Sequence, residues 1–558
     1  MIARRWRETH SAQVELLRHF CGQFFESEFV SRPGQLKLLF TGVLSVLASL
    51  SVPFLQAYYS KYLALKRLDD TQPFRLAVMA DSLFLITLNM VVIGLVTALL
   101  WQILFPDKRD YLALAALPIR MAEIFRAKFV SLLGFVALSS AFMAVPMSIG
   151  LPAMMQPQRN TAHFAVFGPM GYHMLGIAVA SVAGALFVFF ALVALQGVLL
   201  NVLPLRMSTR LSFAVQALLL IAFLAAVPAA IAIPRFTYQM DSWPEWAAWV
   251  PPLWFFGLGQ SMIGNVNPLA EFALIGLAAA GASAVAAYWW SYRRHRVRVL
   301  ESPGGYSGGK SWSFEPNLPP RALGVFAFIS KTLARSPQHR LILTAFAGIA
   351  MAISANSLVG SLRVATVLVD AQLALSLFIL AGLHYLFRLP VEPRANWIFR
   401  LPEPGHTVSL LSGVEWWMLY GGVLPVAAVF WIADSWQLGI ARGLVLMLLA
   451  VPPSLILVEV LLFLTYKIPF TSLYLPARRI ITETLIKYGV GVVLYISLLS
   501  TILSWCAAGV QRWLPALALM LVGYWRLRLI RLDTQRVGRI EFEELPDTVI
   551  QTLAIYRD

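Results

Sequence analysis

Twelve separate runs of about twenty or more apolar residues constrain this chain more than any other feature of it. A helix of that length crosses the hydrocarbon core of a bilayer, and it does so with every main-chain polar group satisfied inside the segment. In the first half the runs lie near Lys37–Tyr59, Leu76–Phe105, Phe129–Leu151, His173–Leu203, Leu211–Ile233 and Leu269–Tyr292. In the second half they lie near Leu341–Leu362, Ala365–Phe387, Gly413–Ile432, Gly439–Leu464, Glu483–Ser504 and Trp513–Ile530. Composition points the same way. Charged residues make up 13% of the chain and hydrophobic residues 59%, whereas a soluble domain carries about 25% charged residues. The expected fold is an all-α integral membrane protein of about 12 transmembrane helices, built as two tandem six-helix repeats with interfacial amphipathic helices.

The net charge of +16 has a membrane explanation. Lys and Arg collect on the cytosolic side of membrane proteins. With the N-terminus in the cytosol, the alternating loops place 35 of the 44 Lys and Arg on that side. Both termini are therefore expected in the cytosol. No soluble basic domain exists to hold a polyanion, so nucleic acid is not an expected partner. The two cysteines, Cys21 and Cys506, lie in opposite halves and support neither a disulfide framework nor a thiolate metal site. The first apolar run begins too far into the chain for a cleavable signal and lacks a small-residue cleavage pattern.

The expected organisation is an N-terminal interfacial helix (1–36), a first six-span repeat (37–300), a linker (301–322), a second six-span repeat with its own interfacial helix (323–532) and a cytosolic tail (533–558). The linker reads ESPGGYSGGKSWSFEPNLPPRA, without periodicity. Two matches in the same order support duplication. FESEFVSRPGQLKLLF leads into the first run and FISKTLARSPQHRLILTAF into the seventh. The loop FPDKRDYLALAALP follows the second run, and LPVEPRANWIFRLP follows the eighth. Pro106 then matches Pro390, and Leu117-Pro118 matches Leu401-Pro402. With an even number of spans, both repeats share one orientation. In Ala12–Val30, Leu16, Leu17, Phe20, Phe24 and Phe25 recur at helical spacing between polar residues, which suits a helix lying on the membrane surface.

Gly304–Ser311 matches the phosphate-loop pattern G-x-x-x-x-G-K-[ST]. It follows a membrane helix rather than a strand and runs into prolines rather than a helix, so a flexible linker is the expected reading. Neither HExxH, GxSxG nor a Cys/His cluster appears. No catalytic residue, cofactor or metal is expected on this chain. Ionisable residues within the runs are few: Asp81 and Asp370 near the starts of theirs, His384 late in the eighth, and Glu459 in the tenth. Charge in the membrane is costly and marks function. Glu459 is the candidate to line a pathway or the contact between halves, with Gln196 as its approximate repeat partner.

The segment Asp107–Lys128 resembles the cytosolic coupling segment of ABC-2 type exporter permeases, in their fused two-repeat bacterial form. The resemblance rests on charged residues, then leucines as L-x-L-x-x-L, then Pro, a helical restart and a Lys entering the next span. Asp107, Arg109, Asp110, Leu112, Leu114, Leu117, Pro118, Ile119, Ile124 and Lys128 match that pattern; Tyr111 stands where glycine is usual. In the second half Glu392, Arg394, Leu401 and Pro402 match, followed by Gly405-His406, with no Lys entering the next span. WVPPLWFFGLGQSMIG (249–264) is similar to an outer element of the same class through Pro251, Pro252, Trp254, Phe255, Gly257 and Leu258. The resemblance implies a permease subunit in the cell (inner) membrane that exports substrate between its two halves. It also implies ATP hydrolysis by two separate cytosolic ABC ATPase subunits, which hold the ATP and Mg, and a short re-entrant helix at the outer exit. Two other readings stay open. One is an ion-coupled secondary transporter; the other is a polyprenol-dependent membrane glycosyltransferase using Asp69 and Asp70 of the first outer loop.

Overall fold

The computed structural model describes residues 13–21, 51–67, 71–106, 120–155, 170–237, 248–301, 316–360, 364–392, 395–401, 406–463, 465–472, 495, 499, 501–503, 505 and 510–543. Those residues form helices, turns and short connections, with no strand among them. Nine of the described helices are long and apolar enough to cross a membrane, as expected of a multi-pass membrane protein. They fall on nine of the twelve apolar runs. Of the other three, Lys37–Tyr59 is described only from Ser51, Leu341–Leu362 has side chains described as far as Ser354, and Glu483–Ser504 falls almost wholly outside the described residues. The chain divides into two compact units, Met1–Ser307 and Gly308–Asp558.

The first unit contains α1 (residues 13–21), α2 (Ser51–Arg67), α3 (Thr71–Leu99), α4 (Met121–Met155), α5 (Met170–Val202), α6 (Leu205–Thr237), α7 (Pro251–Met262) and α8 (Leu269–Glu301). The hub is α5, which packs against α3, α4, α7 and α8. Small residues let it do so: Gly176, Ala180, Ser181, Gly184 and Ala185 are all buried, and small side chains are what allow helix backbones to approach closely in lipid. Aromatic side chains stand in three of its core clusters: Trp101, Phe105, Phe189 and Tyr288 in one, Tyr62, Phe74 and Phe84 in another, and Phe255 and Phe256 in a third.

The second unit contains α9 (Pro320–Arg335), α10 (Pro337–Gly360), α11 (Val364–Phe387), α12 (Asn396–Arg400), α13 (Thr407–Met418), α14 (Leu424–Leu438), α15 (Ile440–Leu462) and α16 (Val510–Val537). Pro320 opens α9 at a position where a proline ring sets the helical φ and the missing N–H costs nothing. Val325, Phe326, Ile329 and Leu333 recur at helical spacing on its buried face, while Arg321, Lys331 and Arg335 are exposed. A π-helical turn, Leu419–Val423, joins α13 to α14 into one span. Pro425 follows directly and has no N–H for the carbonyl of Gly421, which accounts for the widened turn.

Candidate functional site

In the second unit the charged loop after α11 is held against the bundle from two sides. Val391 and Glu392 donate their main-chain N–H groups to Phe470 O (3.0 and 3.1 Å), and Phe470 N donates to Phe387 O (3.0 Å). Phe470 holds this position with φ 65, a left-handed conformation unusual for a side chain of its size. Asn396 Nδ2 donates to Glu543 O (2.9 Å) and Thr471 O (3.4 Å). Lys467 pairs with Glu543 and reaches Glu541 at 3.8 Å. On α12, Asn396 and Phe399 are buried, with the Phe399 ring 5.3 Å from that of Phe328 on α9. The other side of this anchored turn is open: Trp397 is 64% exposed, Ile398 50% and Leu401 76%, flanked by exposed Glu392 and Arg400. Arg394 and Pro402 lie outside the described residues, as do Asp107, Arg109, Asp110, Leu112, Leu114, Leu117 and Pro118 of the first-half loop.

Lys128, the last residue of that first-half pattern, is described and is not at the surface. It is buried at the start of α4, with its ammonium 4.8 Å from the centre of the Phe20 ring on α1. Leu16 and Phe20 of α1 pack on Ile124 and Ala127 of α4. The cation therefore fastens the N-terminal helix to the helix that leaves the loop. The second unit repeats the arrangement with different chemistry. There α9 packs along α13, the helix that follows the α12 loop. The approach is close enough that a Cβ on Gly413 would lie 2.4 Å from Ala322 O.

The Pro-Pro element begins α7, with Val250 extended before it. Pro251 and Pro252 start the helix, Trp254 Nε1 donates to Ala248 O (2.7 Å), and Phe255 is fully buried. α7 runs antiparallel to α5. Trp254 and Phe255 meet Phe187 (ring centres 5.9 and 5.5 Å), whereas Gly259 meets Gly176. A Cβ on Gly176 would lie 2.9 Å from Gly259 O. Twelve residues span only about 18 Å, too short to cross the membrane. α7 thus begins beside Phe187, partway along α5, and runs toward the start of α5, where Gly257 lies against Leu269 at the start of α8.

Glu459 and Gln196 occupy unlike surroundings. Glu459 is buried within the second unit, with Oε2 2.5 Å from Arg531 Nε. Arg531 Nη2 reaches Glu415 Oε2 (2.6 Å), its Nη1 donates to Gln535 Oε1 (3.0 Å), and Arg528 pairs with Glu415 Oε1 (3.0 Å). Two carboxylates and two guanidinium groups balance. Gln196 Nε2 donates to Trp101 O (2.5 Å), just beyond the last turn of α3. Sequence reasoning missed Glu415 and counted Arg531 among the cytosolic-side cations at the end of the second repeat, because the last apolar run stops at Ile530. The helix continues to Val537. Arg528, Arg531 and Gln535 at spacings of three and four residues carried the available signal. Asp81, near the start of the second apolar run, is fully buried against Lys61 (2.7 Å) and Tyr62 (2.8 Å).

Among the described residues no group of His, Cys, Asp and Glu is arranged to hold a metal ion. No family model matches the chain, and no curated protein and no solved structure gives a significant match to it.

Proposed function

We propose that this chain is the membrane-spanning permease subunit of an ATP-driven exporter of the ABC-2 type, working with separate cytosolic ATPase subunits that hold the ATP and Mg. The observation that carries the reading is the α12 turn. A short helix pinned by Asn396 and Phe399 presents Trp397, Ile398 and Leu401 outward between Glu392 and Arg400. Exposed aromatic and aliphatic anchors on a rigid mount, rimmed by charge, are what a partner's pocket engages. The mount packs on α9, and α9 packs on α13, so a push at the turn reaches a membrane-crossing helix. On this reading the protein sits in the inner membrane, with this end of the unit and both termini in the cytosol.

The test is a mild-detergent pull-down from the native host with mass spectrometry of the eluate. A stoichiometric P-loop ATPase supports the proposal. It should be lost on Trp397→Ala or Leu401→Asp, by about 2 kcal/mol or more of binding energy, with thermal unfolding of the permease unchanged. Folded protein that brings down no ATPase after crosslinking sinks it.

One observation favours the ion-coupled alternative. Asp434 on α14 is buried, and neither of its carboxylate oxygens has a hydrogen-bond partner among the described residues. Buried carboxylates in membrane helices serve proton and ion pathways. Transport that survives ATP depletion, collapses with the proton gradient and is lost in Asp434→Asn would favour that reading. Glu459 offers it less support, since its charge is balanced by Arg531.

A further inference from the structure

In the first unit, α3, α5 and α7 enclose a cavity of about 250 Å³. Its two ends differ in chemistry. At the mouth stand Arg75 in the first turns of α3, His173 at the start of α5, and Gln260, Asn265 and Asn267 where α7 ends and turns. Deeper in lie Ile86, Ile177 and Phe256. Along α3 alone, Arg75 and Ile86 are separated by a rise of about 16 Å. The cavity thus grades from cationic and amide groups to hydrocarbon.

The sign of the mouth is positive. Among the described residues that line the cavity there is a guanidinium and no carboxylate. The nearest buried acid on α3, Asp81, is held by Lys61 and Tyr62. The turn at the mouth is internally braced. Asn267 N donates to Ser261 Oγ (3.2 Å), and Asn267 Oδ1 accepts from Leu269 N (3.0 Å). Asn265 Nδ2 donates to Gln260 Oε1 (3.2 Å), which leaves the Gln260 NH₂ as a donor. A guanidinium beside an amide donor, above an apolar floor, suits an anion that carries an alkyl chain.

We infer that this cavity binds the head of an anionic membrane amphiphile, with its phosphate or carboxylate at Arg75 and Gln260 and its first carbons against Ile86, Ile177 and Phe256. The site stands apart from the transport reading, because its recognition chemistry needs neither a partner subunit nor ATP. Soluble phosphate esters share the head chemistry, and the apolar floor is what selects the lipid.

The full chain, purified in dodecyl maltoside, is titrated with lysophosphatidylglycerol, lysophosphatidylcholine and glycerol 3-phosphate, and affinity is read by microscale thermophoresis. Lysophosphatidylglycerol should bind about tenfold or more tightly than the zwitterionic lipid. Arg75→Gln should weaken it about tenfold by loss of a charge-assisted contact, and Asn265→Asp about tenfold by setting a carboxylate beside the bound anion. Arg210→Gln, an exposed cation on α6 outside the cavity lining, should change nothing. Asn265 is exposed on the turn, so its variant decides the matter even if Arg75→Gln fails to fold. Equal affinity for the two lysolipids, or indifference to both variants, would overturn the inference. Glycerol 3-phosphate binding as tightly as the lysolipid would overturn its amphiphile half.

Discussion

The two units solve the same packing problem with different polar chemistry. At the end of the first unit where α3 stops and α4 starts, the buried cation Lys128 faces an aromatic ring rather than a carboxylate, and four neutral buried side chains donate to main-chain carbonyls. Gln196 donates to Trp101 O, Gln216 to Ala98 O (2.9 Å), Asn201 to Ala287 O (3.4 Å) and Tyr288 to Leu104 O. The last helix adds one cation, Arg294, which donates to Asn201 O. At the corresponding end of the second unit, the cation of the last helix is Arg531, and it meets Glu459 and Glu415. In the first arrangement each bond is a neutral one to a single carbonyl, so the loss of any one should cost about 1 kcal/mol. The second couples three helices through charges that cannot be removed singly, because a buried ion without its partner is far more costly than a missing neutral bond.

That difference is open to test, beginning where the effect is largest. Arg531→Met leaves the buried Glu459 without its cation and Glu415 with Arg528 alone, and should cost about 3–5 kcal/mol, seen as loss of folded protein in detergent. The triple change Glu415→Leu, Glu459→Leu, Arg531→Leu should recover most of it. If Arg531→Met unfolds no more readily than the native chain, the cluster does not hold α13, α15 and α16 together. Next comes the contact of α9 with α13. Gly413→Ala places a methyl against Ala322 O and should cost about 1–3 kcal/mol. Protease sensitivity of α9 reads this out and should rise.

The first unit should respond more mildly. Lys128→Met removes a cation from the Phe20 ring and should cost about 1–2 kcal/mol, with cleavage near α1 as the measurement. Smallest of all, Arg294→Met deletes one hydrogen bond to a main-chain carbonyl, worth about 1 kcal/mol. A melting shift as large as that of Arg531→Met would erase the contrast between the units.

The coupling loops show how legibility differs between fold and site. Leu401 and Glu392 were picked out by their place in a repeated pattern, and both are exposed where a partner could reach them. Trp397 and Ile398, the larger exposed groups, were not picked out. In a chain this apolar, nothing in composition separates an outward tryptophan from one at the lipid interface. Lys128 was read as the end of the loop pattern, and its burial against α1 was not foreseen. Its neighbour across the contact lies more than a hundred residues away in the chain, beyond the reach of local spacing.

The helices were legible because lipid imposes one rule on each segment separately: about twenty apolar residues with internally bonded backbone. The amphipathic character of α1 and α9 and the short length of α7 are also local properties, carried by residues within a few turns of each other. Which charges meet is not local. Glu459 drew attention as a costly group, but only the packing of α13, α15 and α16 decided that Arg531 and Glu415 share its site. The same holds for the cavity at Arg75, whose lining comes from three helices and a turn. Burial of charge is a property of the folded surroundings, so a sequence shows which groups must find partners and the tertiary structure shows which ones do.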